Sequence, residues 1–438
     1  MAHSTIRGDG HLPAQGPAAP PAPALRAGPP HKAEGGVGRW LTIVGIGEDG
    51  AGGLGEEAKR LLTGAEFVFG GRRHLELARG LIRGEARPWP LPFDSSMAEI
   101  RVLRYKKVAV LASGDPFLHG VGGTLARVVD PAEMTIVPGP SAFSLAAARL
   151  GWPLQDVETV SLHGKPIDLL RPLLHPGRRV LALTSDGDGP GAIADLLTDN
   201  GFGPSMLTVL EALGGPDERI TAQTAGDFVA DAFNSLNVVA IEVVAGPDAR
   251  ILPLAAGLDD ALFEHDGQIT KREIRALTLS ALSPRRGELL WDIGAGSGSI
   301  SIEWMLADPS MRAIAIEADD KRAQRIARNA AACGVPSLKV VTGPAPAALA
   351  GLSAPDAIFI GGGGTDAGVF EAAIDGLHAG GRLVANAVTL EMEALLLARY
   401  QKLGGTLLRV AVSRAEPVGT MTGWRPALPV TQWKWVKP

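Results

Sequence analysis

A short apolar run, Leu289-Leu290-Trp291, leads through Asp292 and Ile293 into Gly294-Ala295-Gly296-Ser297-Gly298, and helical spacing follows. Few folds accept a buried strand, a glycine loop and a helix in that order. An open α/β sheet does, and its ligands sit at the carboxyl ends of its strands. Glycines at alternate positions let a backbone approach a ligand closely. The first turn of the helix then offers N–H groups that have no partner within the helix. Further on, the strand Ala313–Ile316 ends in Glu317. An acidic side chain there can accept hydrogen bonds from both hydroxyls of a ribose.

The same alternation fills the rest of the chain. Trp40–Val44, Phe67–Phe69, Lys107–Ala112 and Met134–Val137 read as strands. Three of them run into glycine turns: Gly45-Ile46-Gly47, Ser113-Gly114-Asp115-Pro116 and Pro138-Gly139-Pro140-Ser141. The pattern continues through Val180–Thr184, Met206–Leu210 and Val238–Val244. Short strands alternating with helices predict parallel α/β sheets. Two lobes are expected, 39–142 and 143–245, then a linker over 246–257 and a further α/β unit over 258–438. In that unit five apolar strands precede two late ones, Thr406–Ser413 and Val430–Val436. Between them, Ala323, Ile326, Ala327 and Ala330 recur at helical spacing over Lys321–Cys333. Gly334 follows where a helix-ending glycine belongs.

Composition excludes several classes. Residues 1–38 hold seven Pro and seven Gly, which predicts a disordered tail. A single cysteine, Cys333, leaves no intrachain disulfide and no cysteine metal cluster, and fits a reducing, cytoplasmic setting. No metal site is expected. A net charge of −5 and 5% aromatic residues weigh against nucleic acid as a partner. No apolar run is long enough to predict a membrane span.

The glycine spacings separate the cofactors. Gly45 to Gly50 formally matches the G-x-G-x-x-G dinucleotide fingerprint. Each glycine-bearing strand end also reads as a plain turn. The 294–298 loop is instead G-x-G-x-G with Asp292 just before it. That arrangement resembles the class I S-adenosylmethionine-dependent methyltransferases, whose sheet ends in an antiparallel pair.

Longer strings extend the resemblance. Leu41–Gly47, Ser113–Pro116 and Pro138–Ser141 resemble the tetrapyrrole methylases, the class III methyltransferases. Leu150-Gly151-Trp152, Leu162-His163-Gly164 and Leu213–Ile220 resemble their CbiE branch. Asp266–Arg275, Ile360–Gly363 and Gly380–Glu391 resemble the CbiT family. The expected fold is therefore α/β throughout: a two-lobed class III domain, then a Rossmann-like class I domain. CbiE before CbiT in one chain resembles the fused precorrin methyltransferases of cobalamin synthesis. The resemblance implies methylation of precorrin-6Y at carbons 5 and 15, with decarboxylation of the carbon-12 acetate to give precorrin-8X. It implies S-adenosylmethionine at two sites per chain and a homo-oligomer. Carbon 5 falls to the first half, carbon 15 and the decarboxylation to the second. A different tetrapyrrole, or RNA, with a first half that only holds substrate, is the alternative.

Candidate residues follow. In the first half the cofactor set is Gly45, Gly47, Ser113, Gly114, Asp115, Gly139, Pro140 and Ser141. Asp115, His163 and Glu211, with His119, are the titratable candidates for proton transfer. In the second half the cofactor set is Thr270, Gly294, Ala295, Gly296, Ser297, Gly298, Glu317 and Ala345. The family's Gly-Asp-Ala-Pro string reads Gly343-Pro344-Ala345-Pro346 here, which leaves only a backbone contact near Ala345. A substrate rich in carboxylates calls for cations. Lys271, Arg272, Arg275 and Arg382 are the first choices, then Arg414 and Arg425.

Overall fold

The computed structural model describes residues 38–438; the tail expected over 1–38 lies almost wholly outside them. The first lobe is a five-stranded sheet of β1 (Leu41–Ile46), β2 (Phe67–Gly70), β3 (Glu85–Pro88), β4 (Val108–Ser113) and β5 (Met134–Val137). Its order is β3-β2-β4-β1-β5, and every pair is parallel. Alternate residues of β1 and β4 enter two separate apolar clusters, one on each face of the sheet. Burial on both faces is why these strands read as unbroken apolar runs.

The second lobe departs from expectation. Its strands are β6 (Glu158–Ser161), β7 (Arg179–Leu183), β8 (Met206–Glu211), β9 (Arg219–Thr224) and β10 (Asn237–Glu242), in the order β6-β7-β10-β8-β9. Only β6 and β7 are parallel; β10 runs antiparallel to β7 and β8, and β9 antiparallel to β8. The cause is loop length. β8 returns through Ala212–Glu218 with no helix between, and so short a return reverses the chain.

The third sheet contains β11 (Leu289–Ile293), β12 (Arg312–Glu317), β13 (Lys339–Thr342), β14 (Ala357–Ile360), β15 (Arg382–Ala387), β16 (Thr406–Val410) and, after a hairpin, β19 (Val430–Val436). The order is β13-β12-β11-β14-β15-β19-β16, with β19 antiparallel to both β15 and β16. The late antiparallel pair is present, but the first of its strands stops at Val410. Ser413 instead opens β17 (Ser413–Val418), which pairs only with β18 (Met421–Pro426) as a separate hairpin.

Residues 246–257 are fastened to both sides. Gly246 and Arg250 donate backbone N–H groups to Gly201 and Asn200 of the second lobe. Leu252 is buried in the core of the third sheet, and the Gly257 N–H reaches Glu303 at 2.6 Å. The helix Asp320–Ala332 ends at Gly334 (φ 77°) as expected, and that glycine presses on Pro172 of the second lobe. Among the described residues no helix is long and apolar enough to cross a membrane.

Candidate functional sites

The third sheet opens at its strand carboxyl ends onto a cavity of about 750 Å³. Two glycines shape its floor. A Cβ on Gly294 (φ 72°) would lie 2.5 Å from the Gly362 carbonyl, so β11 and β14 meet there backbone to backbone. Gly296 (φ 60°) turns its N–H to Glu317, 2.8 Å away. Gly298 does not face the cavity. A Cβ there would lie 2.7 Å from the Ile326 side chain, so this glycine lets two helices close-pack.

Glu317 ends β12, is 6% exposed and also accepts the Asp319 N–H at 3.1 Å. A carboxylate has about four acceptor positions, so about two remain for a ligand. Asp292, at the end of β11, lies deeper. Its Oδ2 accepts the Ser301 N–H at 3.1 Å and the Ser301 hydroxyl at 2.7 Å. Among the described residues its Oδ1 has no partner, nor does the buried Ser297 Oγ. Burial, with a smaller push from the Glu317 charge, raises the Asp292 carboxyl to about 6. Both residues line the cavity. Two orphaned buried oxygens beside a glycine loop suit a ligand with an ammonium and hydroxyl groups, and S-adenosylmethionine has both. The sequence motif contains Asp292, yet only its burial shows the unpaired oxygen.

Thr270, Ala295 and Ala345 also line this cavity. The cations divide. Lys271 and Arg414 are on the wall, paired with Asp260 at 3.4 Å and with Glu273. Arg272 faces outward towards Asp259, and Arg425 pairs with Glu416, neither on the wall. Arg275 is fully buried. It is bound by Glu303, by Asp260 at 3.1 Å and by the carbonyls of Thr270 and Leu258. Arg382 is 4% exposed and held by Glu288 and the Leu282 and Ser283 carbonyls. Guanidinium groups so engaged, and out of water, are structural and cannot meet substrate carboxylates. Arg322, which sequence reasoning passed over, does line the cavity.

A second cavity of about 750 Å³ lies between the two lobes of the first half. Gly47, Ser113, Gly114, Asp115, Pro140 and Ser141 line it, with His119 and His163. Gly45 and Gly139 do not. A Cβ on Gly45 would lie 1.8 Å from the Gly114 carbonyl and 2.5 Å from the Gly139 nitrogen. These glycines pack the ends of β1, β4 and β5 together, and only through that packing shape the cavity. Asp115 Oδ1 accepts the Phe117 N–H at 2.8 Å, a turn-capping contact. Glu211 is withdrawn: it is 2% exposed, off the wall, and bound by Arg219 at 2.6 Å and the Asn234 N–H at 2.7 Å.

The structure adds a cluster here. Arg73 and His74 follow the glycines that end β2, and both line the cavity. His74 Nε2 lies 2.8 Å from the Ser113 hydroxyl and 3.0 Å from Arg73, which also pairs with Glu48. Burial, helped by the Arg73 charge, pushes the His74 imidazole down to about 4. The glycine-after-strand signal that marked the other three ends is present at Gly70-Gly71 and would have found it.

Known proteins resolve what such a pair of cavities belongs to. Residues 40–229 match the family described as Tetrapyrrole (Corrin/Porphyrin) Methylases, and residues 261–437 match the Precorrin methyltransferase domain. A precorrin-6Y C(5,15)-methyltransferase [decarboxylating] from Sinorhizobium sp. is 65% identical over 92% of this chain and 97% of its own. The chain belongs to the precorrin-6Y C(5,15)-methyltransferase (decarboxylating) family. Shorter relatives of this methyltransferase family cover parts of it. A cobalt-precorrin-7 C(5)-methyltransferase of Salmonella typhimurium is 31% identical over 41% of this chain and 88% of its own. A probable cobalt-precorrin-6B C(15)-methyltransferase (decarboxylating) of Saccharolobus solfataricus is 38% identical over 35% of this chain and 80% of its own. The precorrin methyltransferase match spans every residue that lines the class I cavity.

Proposed function

We propose that the chain methylates precorrin-6Y at carbons 5 and 15 and removes carbon dioxide from the carbon-12 acetate, giving precorrin-8X. One observation carries the reading: two unlike cavities, each walled by glycine-bearing strand ends, lie in separate parts of one chain. Half-length relatives each bear one half of the double name; with the likeness of the first half to CbiE and of the second to CbiT, this supports carbon 5 for the first cavity and carbon 15 with decarboxylation for the second.

S-adenosylmethionine, when bound, supplies a methyl group already made electrophilic by its sulfonium. The chain's own task is alignment, which can provide much of the rate. In the second half Glu317 holds the glycine loop and keeps acceptors for the ribose. Asp292 Oδ1 and Ser297 Oγ receive the polar end of the cofactor, and Lys271 and Arg414 take substrate carboxylates. In the first half Gly47, the Ser113–Asp115 turn and the Pro140-Ser141 turn form the cofactor wall. Two cofactor sites per chain follow from this reading. The hairpin of β17 and β18 supports a homo-oligomer: two strands alone are marginal, and this pair exposes Val418, Met421 and Trp424.

Calorimetry on the full chain tests the site count, with two equivalents of S-adenosylmethionine expected. Mass spectrometry after incubation with precorrin-6Y tests the reaction. Two added methyl groups and one lost carbon dioxide are expected, and one equivalent with one added methyl would reject the two-site reading.

A further inference from the structure

One polar side chain interrupts the apolar run Leu383–Ala387 of β15, and it is Asn386. Its amide is fixed by a buried network. Asn386 Nδ2 donates to the Thr278 hydroxyl at 2.9 Å, and Gln432 Nε2, directly opposite on β19, donates to Asn386 Oδ1 at 2.9 Å. Gln432 also reaches Thr278 at 3.2 Å, and the Thr278 hydroxyl donates onward to the Ile274 carbonyl at 2.8 Å. Thr278 is 0% and Gln432 6% exposed. A primary amide has two N–H donors and two acceptor positions. The network uses one of each. Asn386 itself lines the class I cavity, so one donor and one acceptor are left for a ligand.

Apolar side chains share the cavity with that amide. Val388, Val412, Leu428 and Val430 line the same cavity, from the end of β15 and the late strands around it. The cations of the cavity lie in ion pairs on its wall, Lys271 with Asp260, Arg322 with Asp266 and Arg414 with Glu273, and suit the substrate's other carboxylates. Two buried polar side chains behind a half-buried amide are costly unless satisfied, and apolar residues would pack there at less risk. Such a network is kept where the position of one group matters.

We propose that Asn386, held by Gln432 and Thr278, orients the acetate arm of the substrate for loss of carbon dioxide. The proposal rests on the assignment of decarboxylation to this cavity. In that step the bond between the acetate CH₂ and its carboxylate breaks. The electron pair passes into the conjugated macrocycle, carbon dioxide leaves, and the CH₂ carbon takes a proton from water to become a methyl group. The carboxylate loses its charge on the way to the transition state. An arginine clamped on it would stabilise the starting state more than the transition state and slow the step. A neutral amide N–H fixes direction without that penalty.

Product partition in the full chain tests this. Wild type, Asn386→Ala, Thr278→Val and Thr278→Ser are each given precorrin-6Y and S-adenosylmethionine, and products are resolved by mass. Asn386→Ala should slow decarboxylation by about 100-fold, the scale for misplacing a reacting group, and accumulate methylated product that retains the carboxyl group. Thr278→Val, which keeps shape and loses the hydroxyl, should shift the partition the same way, and Thr278→Ser should restore it. Calorimetric affinity for S-adenosylmethionine should stay unchanged throughout. Methylation and decarboxylation falling in equal proportion, or an unshifted partition in Asn386→Ala and Thr278→Val, would overturn the role of Asn386. A wild-type chain that yields no decarboxylated product would instead overturn the functional reading beneath it.

Discussion

The Glu317 carboxylate accepts the Gly296 N–H at 2.8 Å, so the end of β12 sets the shape of the loop that follows β11. A glutamine would keep the size but lose the charge that strengthens this bond. Glu317→Gln should weaken S-adenosylmethionine binding at the class I cavity by about 10- to 100-fold, since a hydrogen bond to a charged group is worth about 1.5–3 kcal/mol. Calorimetry on the full chain should show one site weakened and the other intact.

Asp292 gives that cavity a pH dependence. Burial raises its folded pKa from 3.8 to about 6, so the folded chain holds the proton more tightly than the unfolded one. The stabilising contribution is complete below the unfolded pKa and disappears as pH rises through about 6, a swing of up to about 3 kcal/mol. Asp292→Asn removes the penalty. The variant should gain stability over wild type near pH 8 and lose that advantage near pH 4, as read by denaturant titration. Cofactor affinity at this site should fall in wild type below about pH 6, because a protonated acid no longer attracts an ammonium.

His74 works in the opposite sense. Its folded pKa of about 4 lies below the ordinary 6.5, so the unfolded chain binds the proton more readily. Its stability contribution is present at neutral pH and is lost as pH falls from about 6.5 through 4. The amount is up to about 3 kcal/mol. Because Asp292 moves the other way over nearly the same range, a global melt would blur the two. Hydrogen exchange resolves them. Amides of β2 and β4, which flank His74, should lose protection on acidification in wild type and much less in His74→Gln.

Much of this was legible in the chain, and the failures share a cause. Strands buried on both faces, such as β1, β4 and β11, announce themselves because nearly every residue must be apolar. β9 escaped notice because it is an exposed edge, Arg219-Ile220-Thr221-Ala222-Gln223-Thr224, with no apolar run. β17 and β18 escaped for the same reason. The glycine loops were found, but distance along the chain does not say which glycine faces ligand and which faces backbone. Gly45 and Gly298 turned out to face protein. Charged side chains were hardest. Lys271 and Arg275 sit one turn apart, which places them on one helix face. Only packing reveals that Arg275 points at Glu303 beneath Leu258.

That difference between Lys271 and Arg275 separates binding from folding. Arg275→Ala leaves Glu303 buried with its charge uncompensated, and breaking such a pair costs about 3–5 kcal/mol. Its denaturation midpoint should drop sharply. Lys271→Ala should leave the unfolding free energy within about 0.5 kcal/mol of wild type and raise the KM for the tetrapyrrole in the carbon-15 reaction. An unchanged KM would remove Lys271 from the substrate contacts.

Gly45 and Gly47 make the corresponding contrast in the first lobe. A methyl group on Gly45 would collide with backbone atoms of Gly114 and Gly139, which belong to two other strand ends and cannot rotate away. On Gly47 it would meet only the Asp49 side chain, at 2.8 Å, which can swing aside. Gly45→Ala should therefore spread β1 from β4 and β5, destabilise the lobe by about 1–3 kcal/mol as overpacked cores do, and abolish carbon-5 methylation. Gly47→Ala should fold normally and change only the affinity for cofactor in that cavity. Paired thermal melts and single-turnover methylation at carbon 5 would check both. Equal stability in the two variants would mean that the strand ends are looser than their 3.1 Å hydrogen bond between Gly139 N–H and the Gly114 carbonyl implies.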